Sequence, residues 1–323
     1  MNVSIIIPTY NRKQSLIETL NSINDQVFPS QDFETIVIDD GSEDGTEEIN
    51  SQKFSFSLRY FYHSNKGGVF SRNYGVQFAN GDFIIFLDDD MTLMPEYIQS
   101  IVEAHDRRKQ LITRGKYFPW QSQSSVFTNT LNKYANESGN AIKLFSSNNL
   151  GILRSDFLDI GGWKEVLPPD VSHKGGIWSD LELAYRASQM GYEFLTVDKA
   201  RIIHRDYAVQ NLKTACKRAE QVSNWAVPLL NNYPELSEYI PMLEDKKPIN
   251  WRNEKSSMMI RKLFRKIVST GISIELMENF TKIIEVYPQN PALLRPLYRW
   301  IIGAYIYRGY RQGLRVYGRL GSK

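Results

Sequence analysis

The first hundred residues alternate between short apolar runs and amphipathic helical stretches, and this alternation constrains the fold more than any other feature of the chain. Four apolar runs have the length and composition of strands, at residues 3–7, 35–38, 58–62 and 83–87. Between and after them, helices are predicted at residues 13–25, 68–78 and 95–109, with a further helix opened by Asp44-Gly45-Thr46. This order predicts right-handed crossovers and a doubly wound α/β sheet, with residues 58–62 nearer an edge.

The composition is that of a globular protein, since 42% of the 323 residues are apolar and 23% are charged. This excludes a disordered, collagen-like or coiled-coil chain. The single cysteine, Cys216, excludes an intramolecular disulfide framework and a multi-cysteine zinc site, and it suits a reducing compartment. We find no secretory signal and no run of the roughly 20 apolar residues that a membrane span needs. We therefore expect a cytoplasmic protein.

Charge is distributed unevenly along the chain. Residues 251–323 carry a formal net charge of +10, whereas the first 250 residues carry −7. The sequence beyond residue 206 has a helical pattern throughout, and the proline-containing segment 231–250 is the best candidate for a linker. We therefore expect catalysis in the acidic part of the chain and a partner for the basic part.

Three consecutive carboxylates, Asp88, Asp89 and Asp90, follow the predicted strand at residues 83–87. Ligands of open α/β sheets bind outside the carboxyl ends of the strands. Adjacent carboxylates repel one another at such an edge unless a cation neutralises them, and a hard divalent ion would also bridge to a diphosphate. The pattern favours a site for a hard divalent cation over the alternative of a solvated acidic turn.

Two further segments follow strands or precede helices at the same edge. The run Asp39-Asp40-Gly41-Ser42 offers carboxylates to a base or a ribose, and its alternative reading is a plain β-turn. Residues 65–73 are a glycine-rich turn feeding a helix, in which Gly67 and Arg72 suit an anion. The alternative there is a helix start with an ion-paired arginine. The segment lacks the GxxxxGK[ST] pattern, which disfavours a P-loop NTPase.

Candidate acid–base and ligand residues also occur in the second half of the chain. Asp180 and Glu182 lie near a predicted helix start, after a loop at residues 164–176. Two residues apart on a helix, they point in different directions, so one can face a cleft while the other makes a structural bond. His204 ends an apolar, strand-like run. An isolated histidine is more often structural, but a neighbouring metal site favours it as a ligand.

Six segments, in order from residue 3 to about residue 204, resemble the family 2 glycosyltransferases with the GT-A fold: SIIIPTYNR, DDGS, GGVFSRN, GDFIIFLDDD, SNNLGILRSDFLDIGGW and WSDLELAYRASQMGYEF. The resemblance implies a Rossmann-like, mixed but mainly parallel sheet flanked by helices, with a helical C-terminal extension. It further implies a nucleotide-sugar-binding half at residues 1–110, an acceptor-binding and catalytic-base half at 111–206, and a helical basic region at 207–323.

The resemblance also implies roles for residues on the donor side. The nucleotide sugar would be bound by residues of the first segments and the acidic cluster, namely Pro8, Thr9, Tyr10, Asp40, Gly67, Arg72, Asp88 and Asp89. Asp90 and His204 would be the metal ligands. The cofactor implied is Mn²⁺ or Mg²⁺.

On the acceptor side, Asp180 would be the catalytic base, with Glu182 as a support. Trp163 and Trp178 would contact the acceptor, and residues 164–176 would form a lid. One residue departs from the family pattern, because Ser179 stands where the family often has an acid. This departure leaves Glu182 as a competitor for the role of base.

The reaction implied is inverting transfer of a sugar from a nucleotide diphosphate, with UDP expected from its frequency in the family. The acceptor would be a hydroxyl of a sugar, lipid-linked or peptide substrate, in polysaccharide, glycolipid or glycoconjugate synthesis. Three alternatives remain open: a metal-dependent nucleotidyltransferase, a receiver-type phosphoacceptor pocket, and a non-catalytic nucleotide-sugar-binding relative.

The basic tail contains a helical face that favours contact with an anionic membrane surface, formed by Leu294, Leu297, Ile301 and Tyr305. This face predicts a peripheral location on the inner side of the cell membrane. Arg308 and the arginines that follow it rotate onto the same face if the helix is continuous, so packing on protein, including a homodimer, stays open. Nucleic acid is not expected as a partner.

Overall fold

A computed structural model describes residues 2–118, 148–168, 176–205, 211–285 and 291–318. The described residues divide into two compact units, one ending at Arg205 and the other containing residues 211–285 and 291–318. The first unit is built on a β-sheet, and the second is helical.

The first unit contains eight described strands, which are β1 (Val3–Thr9), β2 (Phe33–Asp39), β3 (Ser57–Tyr62), β4 (Phe83–Leu87), β5 (Met91–Leu93), β6 (Leu111–Phe118), β7 (Asn149–Leu153) and β8 (Glu193–His204). Its helices are α1 (Lys13–Asn24), α2 (Gly68–Phe78), α3 (Tyr97–His105), α4 (Arg154–Ile160) and α5 (Ser179–Gln189), with short 3₁₀ turns at Ser30–Asp32 and Thr46–Ser51.

The strands form one sheet in the order β3-β2-β1-β4-β7-β6-β8-β5. Strands β1 to β4 pair in parallel, as do β6 and β8. Strand β7 runs antiparallel to both of its neighbours, and β5 runs antiparallel to β8. The predicted mixed, mainly parallel sheet is therefore confirmed, and β3 lies at the edge that its alternating sequence predicted.

Alternate residues of the buried strands serve the two faces of the sheet. Ile5 and Ile7 of β1 pack with Leu16 and Leu20 of α1 in one cluster, whereas Ile6 belongs to the cluster on the other face. Helix α2 approaches the sheet closely at Gly75, where a Cβ atom would lie 2.5 Å from Cγ2 of Ile6. Burial on both faces explains why β1, β2 and β4 have continuous apolar sequences.

Two helix predictions differ from the structure in their bounds or type. The segment opened by Asp44-Gly45-Thr46 forms only the 3₁₀ turn at Thr46–Ser51. The helix predicted at residues 95–109 covers Tyr97–His105. It ends there because Asp106 and Arg107 both have positive φ, at 45° and 55°, which an α-helix does not accommodate.

The second unit contains α6 (Leu212–Asn232), α7 (Ser256–Val268), α8 (Gly271–Glu285) and α9 (Pro291–Val316), with 3₁₀ turns at Pro234–Tyr239 and Pro241–Lys246. Helices α6 and α9 touch backbone to backbone, since a Cβ atom on Gly309 would lie 2.0 Å from the carbonyl oxygen of Glu220. None of the described helices is long and apolar enough to span a membrane.

Two predictions for this unit are corrected. The segment 231–250 is not a linker, because its prolines start 3₁₀ turns whose Leu236 and Leu243 are fully buried. The face of α9 predicted to meet a membrane is inside the unit instead, since Leu294 and Ile301 are fully buried. Helical spacing alone does not distinguish a face that meets lipid from one that meets protein.

Candidate active site

The carboxyl ends of β1, β2 and β4 bring the predicted donor residues to one edge of the sheet. The backbone N–H of Asp40 donates to the carbonyl of Thr9 at 2.9 Å, which ties the ends of β1 and β2 together. Across β1, the Thr9 hydroxyl donates to Asp89 Oδ2 at 2.8 Å, which ties in the residues that follow β4. The site therefore forms where the carboxyl ends of the parallel strands β1, β2 and β4 lie next to one another, as predicted for a parallel sheet.

The three consecutive carboxylates have separate partners. Asp88 accepts a 2.6 Å hydrogen bond from Nη2 of Arg72, the predicted anion-binding arginine. Arg12 places Nη1 at 3.1 Å from Asp89 Oδ1 and also at 3.1 Å from Asp90 Oδ2. Two guanidinium groups thus neutralise the charge that the sequence analysis assigned to a cation alone.

Asp90 and His204, the predicted metal ligands, lie side by side. His204 is opposite Met91 in the β5–β8 pair, and its Nε2 is 3.3 Å from Asp90 Oδ1. That Oδ1 atom is buried without a well-formed hydrogen bond to the described residues. Burial disfavours the charged carboxylate, but the adjacent His204 imidazole, together with the positive charges of Arg12 and Arg205, holds the pKa of Asp90 below its usual value.

A carboxylate beside an imidazole is a donor set that suits Mn²⁺, and the buried Oδ1 atom offers a ligand position. Nowhere in the described ranges do three or more His, Cys, Asp or Glu side chains gather as metal ligands. The remaining coordination positions would fall to water and to the substrate's own phosphate oxygens. With that completion, Asp90 and His204 fit a Mn²⁺ or Mg²⁺ ion.

Asp89 is enclosed more completely than its neighbours. Its side chain is buried, and burial raises the pKa of its carboxyl to about 6, against the opposing effect of Arg12. Its backbone carbonyl accepts hydrogen bonds from the hydroxyls of Ser15 and Thr19 on α1. Asp89 therefore anchors the acidic cluster to the body of the unit, whereas the sequence analysis placed it among the donor contacts.

Asp40 positions the glycine-rich turn. Its carboxylate accepts the backbone N–H groups of Lys66 at 2.6 Å and Gly67 at 2.9 Å, and His63 Nδ1 lies 3.3 Å from it. Gly67 has a φ of 90°, a conformation that glycine adopts readily. The turn is held in place before α2 begins, and α2 in turn carries Arg72.

The residues that end β1 differ in accessibility. Thr9 is buried and Pro8 is half-buried, whereas Tyr10 is 46% exposed and presents its ring at the edge of the sheet. Of these three predicted donor residues, Tyr10 offers the surface on which a base can stack.

Asp180, the predicted base, is half-buried in the first turn of α5. Burial raises the pKa of its carboxyl to about 6, while Arg72 lowers the value and Asp88 raises it. Both of those residues are therefore close enough to act on its charge. The residue before Ser179, Trp178, has a φ of 71°, an uncommon backbone conformation for a residue with a side chain.

Glu182 occupies a different environment from the one expected. Its carboxylate is completely buried, and Arg186 holds both oxygens, with Nε at 2.6 Å and Nη2 at 2.8 Å. The same guanidinium donates to the carbonyls of Ile160 and Gly162. Glu182 therefore makes the structural bond that the spacing allowed for one member of the pair.

Trp163 lies in the core and not on a surface that faces a cleft. Its side chain is 4% exposed and packs edge-on against Phe86, while its backbone is held by Asn73. This burial argues against the predicted contact with an acceptor. Trp178 is half-buried. Most of the predicted lid, at residues 169–175, lies outside the described residues.

Two residues near the site, Arg12 and His63, were missed by the sequence analysis. Each follows a strand that ends at the ligand edge, Arg12 after β1 and His63 directly after β3. The rule that ligands bind at the carboxyl ends of strands could have found both. Their partners, Asp90 and Asp40, are distant in sequence, so the pairing of Arg12 with Asp90 and of His63 with Asp40 could not be predicted from the sequence.

The sequence profile of glycosyl transferase family 2 matches residues 4–151. An uncharacterized glycosyltransferase of Bacillus subtilis, YfnE, is 36% identical over 120 residues, which is 36% of this chain and 30% of that protein. A validoxylamine A glucosyltransferase of Streptomyces hygroscopicus subsp. limoneus is 35% identical over 106 residues, covering 32% of this chain and 23% of that one. The matched region thus spans less than a third of either relative.

Two solved structures share the fold over nearly the whole chain. The mannosyltransferase PcManGT of Pyrobaculum calidifontis, in complex with GDP-Man and Mn²⁺, has a TM-score of 0.61 and 16% identity, covering 96% of this chain and 88% of its own. Residues 1–349 of S. aureus TarS, in complex with UDP-GlcNAc, have a TM-score of 0.51 and 19% identity, covering 97% and 92%. The predicted GT-A fold is confirmed.

Proposed function

We propose that this chain, whose residues 4–151 match the sequence profile of glycosyl transferase family 2, is a member of that family and transfers a sugar from a nucleotide diphosphate to a hydroxyl acceptor with inversion at the anomeric carbon. One observation carries the proposal. The pKa of the Asp180 carboxyl is about 6, and it is influenced by the charges of Arg72 and Asp88 at the ligand edge of the sheet. Such a carboxylate beside an anion-binding arginine suits proton removal next to a diphosphate leaving group.

The donor half of the proposed site is built from residues that are already held in place. Tyr10 offers a ring for the base, and Asp40 keeps the turn at Gly67 in position by accepting its backbone N–H. Arg72, which pairs with Asp88, would neutralise charge that develops on the leaving diphosphate. We take UDP as the first nucleotide to test, since TarS was solved with UDP-GlcNAc.

Asp90 and His204 are the proposed metal ligands. A bound Mn²⁺ or Mg²⁺ ion would supply positive charge to the departing diphosphate, as a Lewis acid does. The PcManGT structure, solved with Mn²⁺, supports the choice of Mn²⁺ as the first ion to test.

Asp180 is the proposed general base. With a pKa of about 6 it is mostly ionised at neutral pH, and its basicity exceeds that of an ordinary aspartate. It would take the proton from an acceptor hydroxyl that attacks the sugar on the face opposite the diphosphate, and this single displacement inverts the anomeric carbon. Glu182 would act as a positioning residue, because its ion pair with Arg186 fixes the first turns of α5.

The acceptor class proposed is a hydroxyl of a sugar, a lipid-linked saccharide or a peptide. Trp178 is the proposed acceptor contact, since it is half-buried and lies two residues before the base. Trp163 is withdrawn from this role because of its burial.

The test is incubation of the full chain with a panel of nucleotide sugars and Mn²⁺, followed by measurement of released nucleotide diphosphate. We expect release from one donor, loss of release in excess chelator, and loss in Asp90→Ala. NMR of the product with an added acceptor should show the inverted anomer. Release of pyrophosphate would instead indicate a nucleotidyltransferase, and donor binding without turnover would indicate a non-catalytic relative.

A further inference from the structure

Two consecutive helices of the second unit, α7 and α8, each expose a row of large apolar side chains. The eight residues recur at helical spacing and are Ile260, Leu263, Phe264 and Ile267 on α7 and Ile272, Leu276, Phe280 and Ile283 on α8. Their exposed fractions range from 44% to 76%. We name these eight residues the α7–α8 apolar face. Isolated exposed apolar residues are ordinary, but rows that recur at helical spacing on two successive helices mark an interaction surface.

The orientation of α7 is fixed by charges on its opposite side. Lys262 and Arg265 are 7% and 5% exposed, and they pair with Glu254 and Asp245. The helix therefore buries cations and exposes aliphatic and aromatic groups, which reverses the usual arrangement of a helix on a water-soluble protein. Rotating α7 to bury the apolar row would break both ion pairs, so the row is held outward by the fold itself.

The charges around the face indicate what would cover it. Within residues 251–285, five basic residues are exposed, against the single exposed acid Glu275, and they are Arg252, Lys255, Arg261, Lys266 and Lys282. Arg261 and Lys266 each lie next in sequence to a member of the row. A second copy of the chain would bring two such cationic borders together, which like-charge repulsion disfavours. An anionic bilayer surface matches both the apolar row and its cationic border.

We propose that the α7–α8 apolar face inserts into the interfacial region of an anionic membrane, with Arg261 and Lys266 meeting the headgroups. The surface differs from the one predicted on α9, of which Leu294 and Ile301 are buried. The proposal does not depend on the transfer reaction, since membrane binding is measured without donor or acceptor.

The test is flotation of the full chain with vesicles of equal parts phosphatidylcholine and phosphatidylglycerol, at low and high salt. We expect binding at low salt that weakens as salt rises, and little binding to phosphatidylcholine alone. The double variant Ile267→Ser/Leu276→Ser should lower partitioning by at least about tenfold. The matched control is Val27→Ser/Leu158→Ser, which removes apolar residues that are 56% and 57% exposed in the first unit and should float as the parent does.

A second variant separates charge from apolar contact. Arg261→Gln/Lys266→Gln should reduce binding to the anionic vesicles by roughly fivefold per cation and flatten its salt dependence. The two apolar double variants change exposed side chains, so their thermal unfolding should match the parent's. Arg261→Gln also removes an ion pair with Asp245, so binding of that variant is measured well below its unfolding temperature. The proposal is overturned if the parent fails to float at low salt, or if the control double variant loses as much binding as the α7–α8 variant. It is also overturned if sedimentation shows a dimer that Ile267→Ser/Leu276→Ser dissociates, since a second copy would then cover the face.

Discussion

At the scale of single residues, two carboxylates in the first turn of α5 occupy different environments. Asp180 is half-buried with its pKa raised to about 6, whereas Glu182 is completely buried with both oxygens on Arg186. Exchanging Asp180→Asn keeps the shape and removes the basicity, so turnover should fall by about 10²–10⁴-fold while donor binding changes little. Release of nucleotide diphosphate and donor titration measure the two effects.

The matched variant is Glu182→Gln. It leaves the Arg186 guanidinium buried with a neutral partner, so the protein should lose about 3–5 kcal/mol of stability while the folded fraction keeps most of its turnover. If this variant, assayed well below its melting temperature, is inactive while Asp180→Asn turns over normally, Glu182 is the base.

The pKa of Asp180 also predicts how the rate depends on pH. A base must be ionised to accept a proton, and burial raises the pKa of this carboxyl from 3.8 to about 6. The kcat/KM of the transfer should therefore fall tenfold per pH unit below about pH 6 and level off above it. A profile that stays flat down to pH 4.5 would mean that a carboxyl with an ordinary pKa is the base.

Arg12 supplies a third prediction at this scale. Its guanidinium bridges Asp89 and Asp90, so it competes with a cation for Asp90 Oδ2. In Arg12→Gln, Mn²⁺ should bind several-fold more tightly in the absence of nucleotide, because a positive charge next to the site is removed. Isothermal titration with Mn²⁺ measures this directly. Lys13→Gln, which removes a charge paired with Glu48 instead, is the control and should leave the affinity unchanged.

Residue types could be predicted from the sequence better than their environments could. Asp88, Arg72 and Asp180 are brought to one place, and Asp90 meets His204, as the strand-end rule and the resemblance led us to expect. The burial of Trp163 and the pairing of Arg12 were not predictable, because each depends on a partner more than 70 residues away in the chain.

At the scale of elements, the bounds of a strand or helix were predicted correctly where its local sequence pattern indicates which residues are buried. The continuous apolar sequence of β4 and the helical spacing of α2 gave bounds that coincide with the structure. Strands β6 and β7 were not predicted from the sequence, because polar and small residues interrupt their apolar runs. Asn149 completes the pairing of these strands by exchanging side-chain hydrogen bonds with the backbone of Gly115, which no periodic pattern indicates.

The close contact between helices α6 and α9 at Gly309 can be tested by adding a single methyl group there. In Gly309→Ala the new Cβ would lie 2.0 Å from the carbonyl oxygen of Glu220, so the two helices must separate. We expect a loss of about 1–3 kcal/mol in the free energy of unfolding, measured by denaturant titration. Gly271→Ala, which meets nothing within 4 Å, should be neutral or slightly stabilising. Equal effects of the two substitutions would contradict this close contact.

At the scale of the whole molecule, the division into two compact units predicts separable stabilities. Asp245 is buried in the second unit and pairs with Lys246, Arg261 and Arg265. Asp245→Asn leaves buried cations without their carboxylate and should lower the unfolding temperature of that unit, at a cost of about 3–5 kcal/mol. Calorimetry should show one transition shifted, and donor affinity, which we assign to the first unit, should stay within twofold at 20 °C.

The pairing of β5 with β8 has a consequence for how the protein is made. Met91 stands opposite His204, so the strand that follows the acidic cluster pairs with residues translated more than a hundred positions later. A nascent chain that has emerged only through β7 can carry Asp90 but not the imidazole beside it. The proposed metal site can therefore form only after nearly the last residues of the first unit have been synthesised. The chain length at which a nascent chain gains affinity for Mn²⁺ would show when β8 joins the sheet.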